Sequence, residues 1–133
     1  MFSLATNTVS LLFKAPSSRL EQKFRAVPFS SLFVCSIVEA EIRYGIAKKR
    51  WEATKLSGVV DQFLSSVTIL PWTSSTAKKF ARLRTDAEAT GVTIATVDLM
   101  IAAHAQEHDL TLVTHDGALL RLRPWLRVVD WAG

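Results

Sequence analysis

Leu32-Phe33-Val34-Cys35-Ser36-Ile37-Val38-Glu39 reads as a buried strand that passes without a linker into a helix. The apolar run behind Pro28 is too short for a helix of its own, which favours a strand. Ser36 with Glu39 matches a capping box, the serine accepting from the third helical amide and the glutamate reaching back to the serine amide, so a helix is predicted from Ile37 to Lys49. The same grammar extends both ways. Upstream, Phe2-Ser3-Leu4 is a strand, Thr6 or Asn7 can cap the segment Val9 to Phe13, and a short helix from Arg19 to Ala26 stops before Pro28. Downstream, a helix from Trp51 to Leu64, interrupted near Ser57-Gly58, leads to the β-rich run Val67 to Leu70, which Pro71 closes. Helices from Ser75 to Ala89, Thr96 to Glu107 and Asp116 to Leu122 then enclose the strand Thr111 to Val113, and Val128-Val129 is a last strand.

Strands that alternate with helices at this spacing require crossover connections, so the predicted fold is α/β with a central parallel sheet covered on both faces. Residues 1–133 form one domain in this reading, with no linker and no internal repeat. In such sheets ligands sit outside the carboxyl ends of the strands, which makes the residues just after each strand the ones of interest.

Composition narrows the class. Hydrophobic residues make up 49% and charged residues 21% of the 133, with 5 Gly and 4 Pro, which excludes disorder and low complexity. No apolar stretch approaches the roughly 18 residues of a membrane span, and Met1 to Phe13 lacks the basic start of a secretory signal, so no membrane contact and a cytoplasmic location are expected. Cys35, in its apolar run, is read as a buried hydrophobe. The net charge of +4 suits a polyanionic partner without requiring one. Basic clusters stand at Lys48-Lys49-Arg50, Lys78 to Arg84 and Arg121-Leu122-Arg123, and each is either a solvated helix face or a backbone contact.

Among the acids, Glu39 can pair with Arg43 and Glu21 with Arg25, while Glu88, Glu107 and Asp109 fall in polar surroundings. Three have a second reading. Glu41 shares a helix face with Val38 and Gly45, and a helical glycine there invites close approach; alternatively Glu41 is a surface acid reaching Lys48. Asp98 opens an apolar helix, either as a dipole partner or as a site residue. Asp116 follows a strand in Thr114-His115-Asp116-Gly117, where Asp-Gly is also a turn signal. Together these acids can converge on one end of the sheet. Carboxylates gathered in a dry pocket repel one another unless a cation sits among them, and oxygen-only ligands suit magnesium or manganese. Such a centre activates water and neutralises charge on a phosphate, the chemistry of phosphodiester hydrolysis.

These residues resemble a family. Leu4-Ala5-Thr6-Asn7-Thr8-Val9-Ser10, Ser36 to Gly45 with Glu41-Ile42-Arg43-Tyr44-Gly45, Asp98 to Ala105, Leu112 to Asp116 and Leu126 to Trp131 are similar, in order, to the motifs of VapC-type PIN-domain toxins. The resemblance spans the chain. It implies a three-layer α/β/α PIN fold, a homodimer, and magnesium-dependent endoribonuclease activity on structured RNA, often transfer RNA. It also implies inhibition by a VapB-type antitoxin, with operator DNA bound only through that antitoxin. Carried over by position, Glu41, Asp98 and Asp116 are the catalytic metal ligands, with Thr6 and Asn7 supporting the first motif by hydrogen bonding. The departure is Ala5, where the pattern has an aspartate. A methyl group cannot hold a cation, so weak magnesium binding and poor or absent cleavage are expected while fold and partner binding persist. The alternative is a catalytically inactive PIN domain that serves as an antitoxin-binding and operator-regulating module.

Two other readings are weaker. His104 and His108 have a zinc-compatible helical spacing, but Ala105 stands where the H-E-x-x-H pattern needs glutamate. A receiver-like module needs a late lysine, and no lysine follows Lys79. Trp51, Trp72, Trp125 and Trp131 can stack on bases but are read as packing residues.

Overall fold

The computed structural model describes residues 1–14, 16–48 and 53–133. Its strands are Phe2–Leu4 (β1), Leu32–Cys35 (β2), Thr68–Leu70 (β3), Thr111–Val113 (β4) and Val128–Val129 (β5). The helices are Thr6–Lys14 (α1), Ser18–Arg25 (α2), Ser36–Ala47 (α3), Ala53–Ser66 (α4), Ser74–Ala89 (α5), Thr96–Glu107 (α6) and Gly117–Leu120 (α7), with a 3-10 turn at Phe29–Ser31. The strands form one parallel sheet in the order β3-β2-β1-β4-β5, Ser3 lying opposite Phe33 on one side and Leu112 on the other. Successive residues of a strand face opposite sides of a sheet. Val34 and Cys35, like Leu112 and Val113, are nevertheless all fully buried, so helices cover both faces and the layering is α/β/α.

The winding places the site. From β1 the chain moves to β2 and β3 on one side, then crosses back to add β4 and β5 on the other. The reversal falls between β1 and β4, and the crevice outside the carboxyl ends of those two strands is where such sheets take ligands.

Local details depart from the sequence reading. Thr6 and Asn7 are not caps: α1 begins at Thr6, and the Ala5 carbonyl accepts from Val9 N at 3.2 Å, so Ala5 is the residue at the helix entrance. The Ser36–Glu39 capping box does not form. Cys35 occupies the N-cap position, Ser36 Oγ accepts instead from Trp72 N at 3.1 Å, and Glu39 pairs with Arg43. The reason is competition, because the chain leaving β3 needs an acceptor that Ser36, at the end of the adjoining β2, supplies. A capping box forms instead at the start of α5, where Thr73 N donates to Thr76 Oγ1 at 3.1 Å. Helix α4 runs through Ser57-Gly58 without a break, because Val60, Phe63 and Leu64 are buried and outweigh a glycine penalty of about 1 kcal/mol. Among the described residues nothing approaches Gly45 within 4 Å of where a Cβ would stand, so the expected close contact is not seen there. The stretch containing Lys49, Arg50 and Trp51 lies outside the described residues.

The remaining tryptophans pack. Trp131 meets Phe2 edge-on at 5.0 Å, Trp72 donates its indole N–H to the Met100 carbonyl at 2.9 Å, and Trp125 is half-buried against the core. Cys35 is buried, and burial pushes its thiol pKa up, which keeps it protonated. The Lys78 to Arg84 cluster lies on α5, where Arg82 pairs with Asp86 at 3.7 Å and Arg84 with Glu88 at 3.4 Å, as on a solvated helix face. No helix among the described residues is long and apolar enough to cross a membrane.

Candidate active site

The crevice between β1 and β4 is a cleft of about 530 Å³ whose walls include Ala5, Thr6, Asn7, Glu41, Asp98 and Asp116. Every site residue read from the sequence therefore meets here, although the residues come from three helices, the junction of β1 with α1 and the loop after β4. Ala5 is 2% exposed and continues the ladder beyond β1, its N–H donating to the Val113 carbonyl at 2.9 Å. Glu41, from the second turn of α3, accepts a hydrogen bond from Thr6 Oγ1. That bond joins α1 to α3 and replaces the pairing of Glu41 with Lys48 considered from spacing.

Asn7 ties α1 to the end of β4. Its Oδ1 accepts from His115 N at 3.1 Å, and its Nδ2 donates to Thr114 Oγ1 at 3.3 Å. Thr114 Oγ1 in turn accepts from Asp116 N at 3.1 Å, while Asp116 Oδ1 caps α7 by accepting from Ala118 N at 2.8 Å. The turn reading and the site reading of Asp116 are thus compatible, since one carboxylate oxygen serves the cap and the other remains for the cleft.

Asp98, half-buried in the first turn of α6, carries the electrostatic signature of the cleft. Burial first, then the charges of Asp116 and Glu41, raise its pKa above the ordinary carboxylate value. Like charges in a partly dry space disfavour ionisation unless something cationic joins them. A group whose folded pKa is raised stabilises the fold at acid pH, and that contribution is lost as pH rises through the folded value. Asp98→Asn is therefore expected to raise the melting temperature at pH 7 in the absence of divalent metal and to leave it unchanged at acid pH. Paired thermal melts at the two pH values check this.

The donor set suits a hard cation in kind, being oxygen from three carboxylates, but not in arrangement. Among the described residues no three His, Cys, Asp or Glu side chains come close enough together to share an ion. A methyl group stands at Ala5, where the cleft would take another carboxylate.

Sequence reasoning missed other residues of the cleft. Lys14 lines it from the last turn of α1, and His115 lines it beside Asp116. His115 Nδ1 lies 3.0 and 3.2 Å from the two oxygens of Asp130, which also accepts from Ala132 N and Gly133 N. Burial alone would raise the Asp130 pKa, but these hydrogen bonds outweigh it and hold the carboxyl below its usual value. The pairing follows from strand order: β4 and β5 are parallel neighbours with Val113 opposite Val129, so polar residues just beyond their ends fall side by side. Elsewhere, His104 and His108 lie with ring centroids 4.5 Å apart, His104 being fully buried. Glu107 is more buried than its polar neighbours suggested and accepts from Thr76 Oγ1 at 2.6 Å.

An acidic cleft at the switch point of a three-layer parallel sheet defines a recognisable class of α/β proteins, and comparison gives it a name. The PIN domain family matches residues 6–123. The chain is 30% identical over 132 residues to ribonuclease VapC2 of Rickettsia felis, covering 98% of each chain. It is 28% identical over 130 residues to the tRNA(fMet)-specific endonuclease VapC of Salmonella typhimurium, covering 98% of this chain and 97% of that one. A solved structure of VapBC2 from Rickettsia felis, bound to a DNA fragment from the promoter, superimposes with a TM-score of 0.88 at 27% identity, covering 98% of both chains. The chain belongs to the PIN-domain family, in its VapC-type ribonuclease toxin branch.

Proposed function

We propose that residues 1–133 act as one PIN domain, the toxin of a toxin–antitoxin pair, built as a magnesium-dependent endoribonuclease for structured RNA such as transfer RNA and disabled by Ala5. The observation that carries this reading is the convergence of Glu41, Asp98 and Asp116 with Ala5 on one cleft at the switch point of the sheet. The raised pKa of Asp98 supports it, because the acids already strain against one another. Magnesium, or manganese in its place, is the cofactor of the complete site. With alanine at position 5 the ligand set is incomplete, so the chain holds such an ion weakly. By likeness to VapBC structures solved with DNA, one of them with a promoter fragment, its partners are a VapB-type antitoxin, a second copy of itself, and operator DNA through the antitoxin.

A second reading has its own support. The methyl group at Ala5 and the lack of three clustered ligands among the described residues favour a binding module that retains its antitoxin and has given up chemistry. Titration with manganese followed by calorimetry separates the two. Ala5→Asp is expected to tighten manganese binding by at least about tenfold over the chain as given, the scale seen when metal-site partners are removed. Equal affinities in two folded proteins would mean that position 5 is not a ligand position.

A further inference from the structure

Among the described residues the cleft is lined by three acids, one lysine and one histidine, and the histidine ring is held by a carboxylate outside the cleft. Asp130, itself pinned by Ala132 N at 2.8 Å and Gly133 N at 3.0 Å, grips His115 Nδ1 through both carboxylate oxygens. The main-chain N–H of His115 is engaged as well, donating to Asn7. A ring held at Nδ1, on a backbone held by Asn7, loses less freedom on binding a ligand than a free one, and its remaining hydrogen-bonding atom is Nε2. The side chain is 49% exposed and lines the cleft.

We propose that His115, positioned by Asp130, reads the ribose of a strand lying in the cleft through a hydrogen bond between Nε2 and a 2′-hydroxyl. This rests on the reading of the cleft as an RNA site. A phosphate is a poor partner for that wall, because Asp116 and Asp98 line the same space and repel it; among the described residues Lys14, on the α1 side, is the lysine or arginine that lines the cleft. A 2′-hydroxyl is uncharged and both donates and accepts, so it can pair with Nε2 whether or not the ring carries a second proton. It is also the group that distinguishes RNA from DNA. His115 thereby supplies selectivity, while the carboxylates supply chemistry.

The test is binding of fluorescently labelled single-stranded RNA and the deoxyuridine-containing DNA of the same sequence to the chain as given, in EDTA, read by anisotropy. RNA is expected to bind about fivefold more tightly than DNA, the worth of one net hydrogen bond. His115→Phe is expected to remove that gap by weakening RNA alone, His115→Gln to keep most of it, and Asp130→Asn to narrow it by freeing the ring. Circular dichroism melts verify that each variant folds. A gap unchanged in His115→Phe, or equal losses on RNA and DNA, overturns the ribose contact while leaving the ribonuclease reading intact. Binding of neither strand by the folded chain overturns that reading, and the contact with it.

Discussion

Ala5→Asp is expected to act as a magnesium-dependent ribonuclease that cleaves transfer RNA at least about 10² to 10³ times faster than the chain as given, the scale of losing one preorganised electrostatic group. The argument is local. Position 5 is held from both directions, its N–H on the Val113 carbonyl and its carbonyl on Val9 N, so the backbone has no reason to shift when the side chain lengthens. Ala5 borders the cleft, and a carboxylate there joins Glu41, Asp98 and Asp116. Four acids would offer the oxygen ligands that a magnesium ion prefers, and an ion held there would supply water activation and offset charge on the phosphate. Without the ion the added charge shares the cleft with Asp98, which already resists ionisation. The variant is therefore expected to melt at a lower temperature than the chain as given in EDTA and to recover on adding magnesium. Asp98→Asn in the variant should abolish cleavage without unfolding it. If the folded variant stays inert on transfer and ribosomal RNA with magnesium present, the carboxylate assignment or the substrate class is wrong, and the binding-module reading moves ahead.

How far the site was legible follows from where its signals lie. The strands were readable because each is a short β-rich run beside Pro, Gly or a polar turn, and parallel pairing follows from the helices between them. Glu41, Asp98 and Asp116 were identifiable because each stands just past a strand or early in a core helix, positions that a parallel sheet brings together at one end. The caps were less legible, since a capping box is a local pattern and a tertiary acceptor can override it; Ser36 serves Trp72 instead of its own helix. The His115–Asp130 pair was out of reach of spacing arguments because it depends on the order of strands. Only once β4 and β5 are known to be neighbours do the two residues meet.

Acid lability traceable to one residue is the second large effect. His104 is fully buried on α6, and neither ring nitrogen has a hydrogen-bond partner among the described residues. Burial foremost, then the neighbouring His108, lowers its pKa from 6.5; the Pro71 carbonyl and Glu107 carboxylate oppose this only in part, the carbonyl falling outside hydrogen-bond geometry. Thr76 of α5, which packs against α6, adds no charge and is itself bonded to Glu107. The sign follows from linkage. The unfolded ring takes up a proton near 6.5 while the folded ring resists it, so the contribution of His104 is present above that pH and is lost as pH falls through the lower folded value. The chain is expected to lose stability steadily from about pH 7 to pH 5, the range in which histidine titrates. His104→Leu, similar in size and without polar atoms, is expected to flatten that profile and to gain about 1 to 3 kcal/mol at the acid end by removing an unsatisfied buried group. Urea unfolding of both proteins across the range measures it. An identical acid loss in His104→Leu would assign the lability to other groups, the exposed His108 being the next to replace.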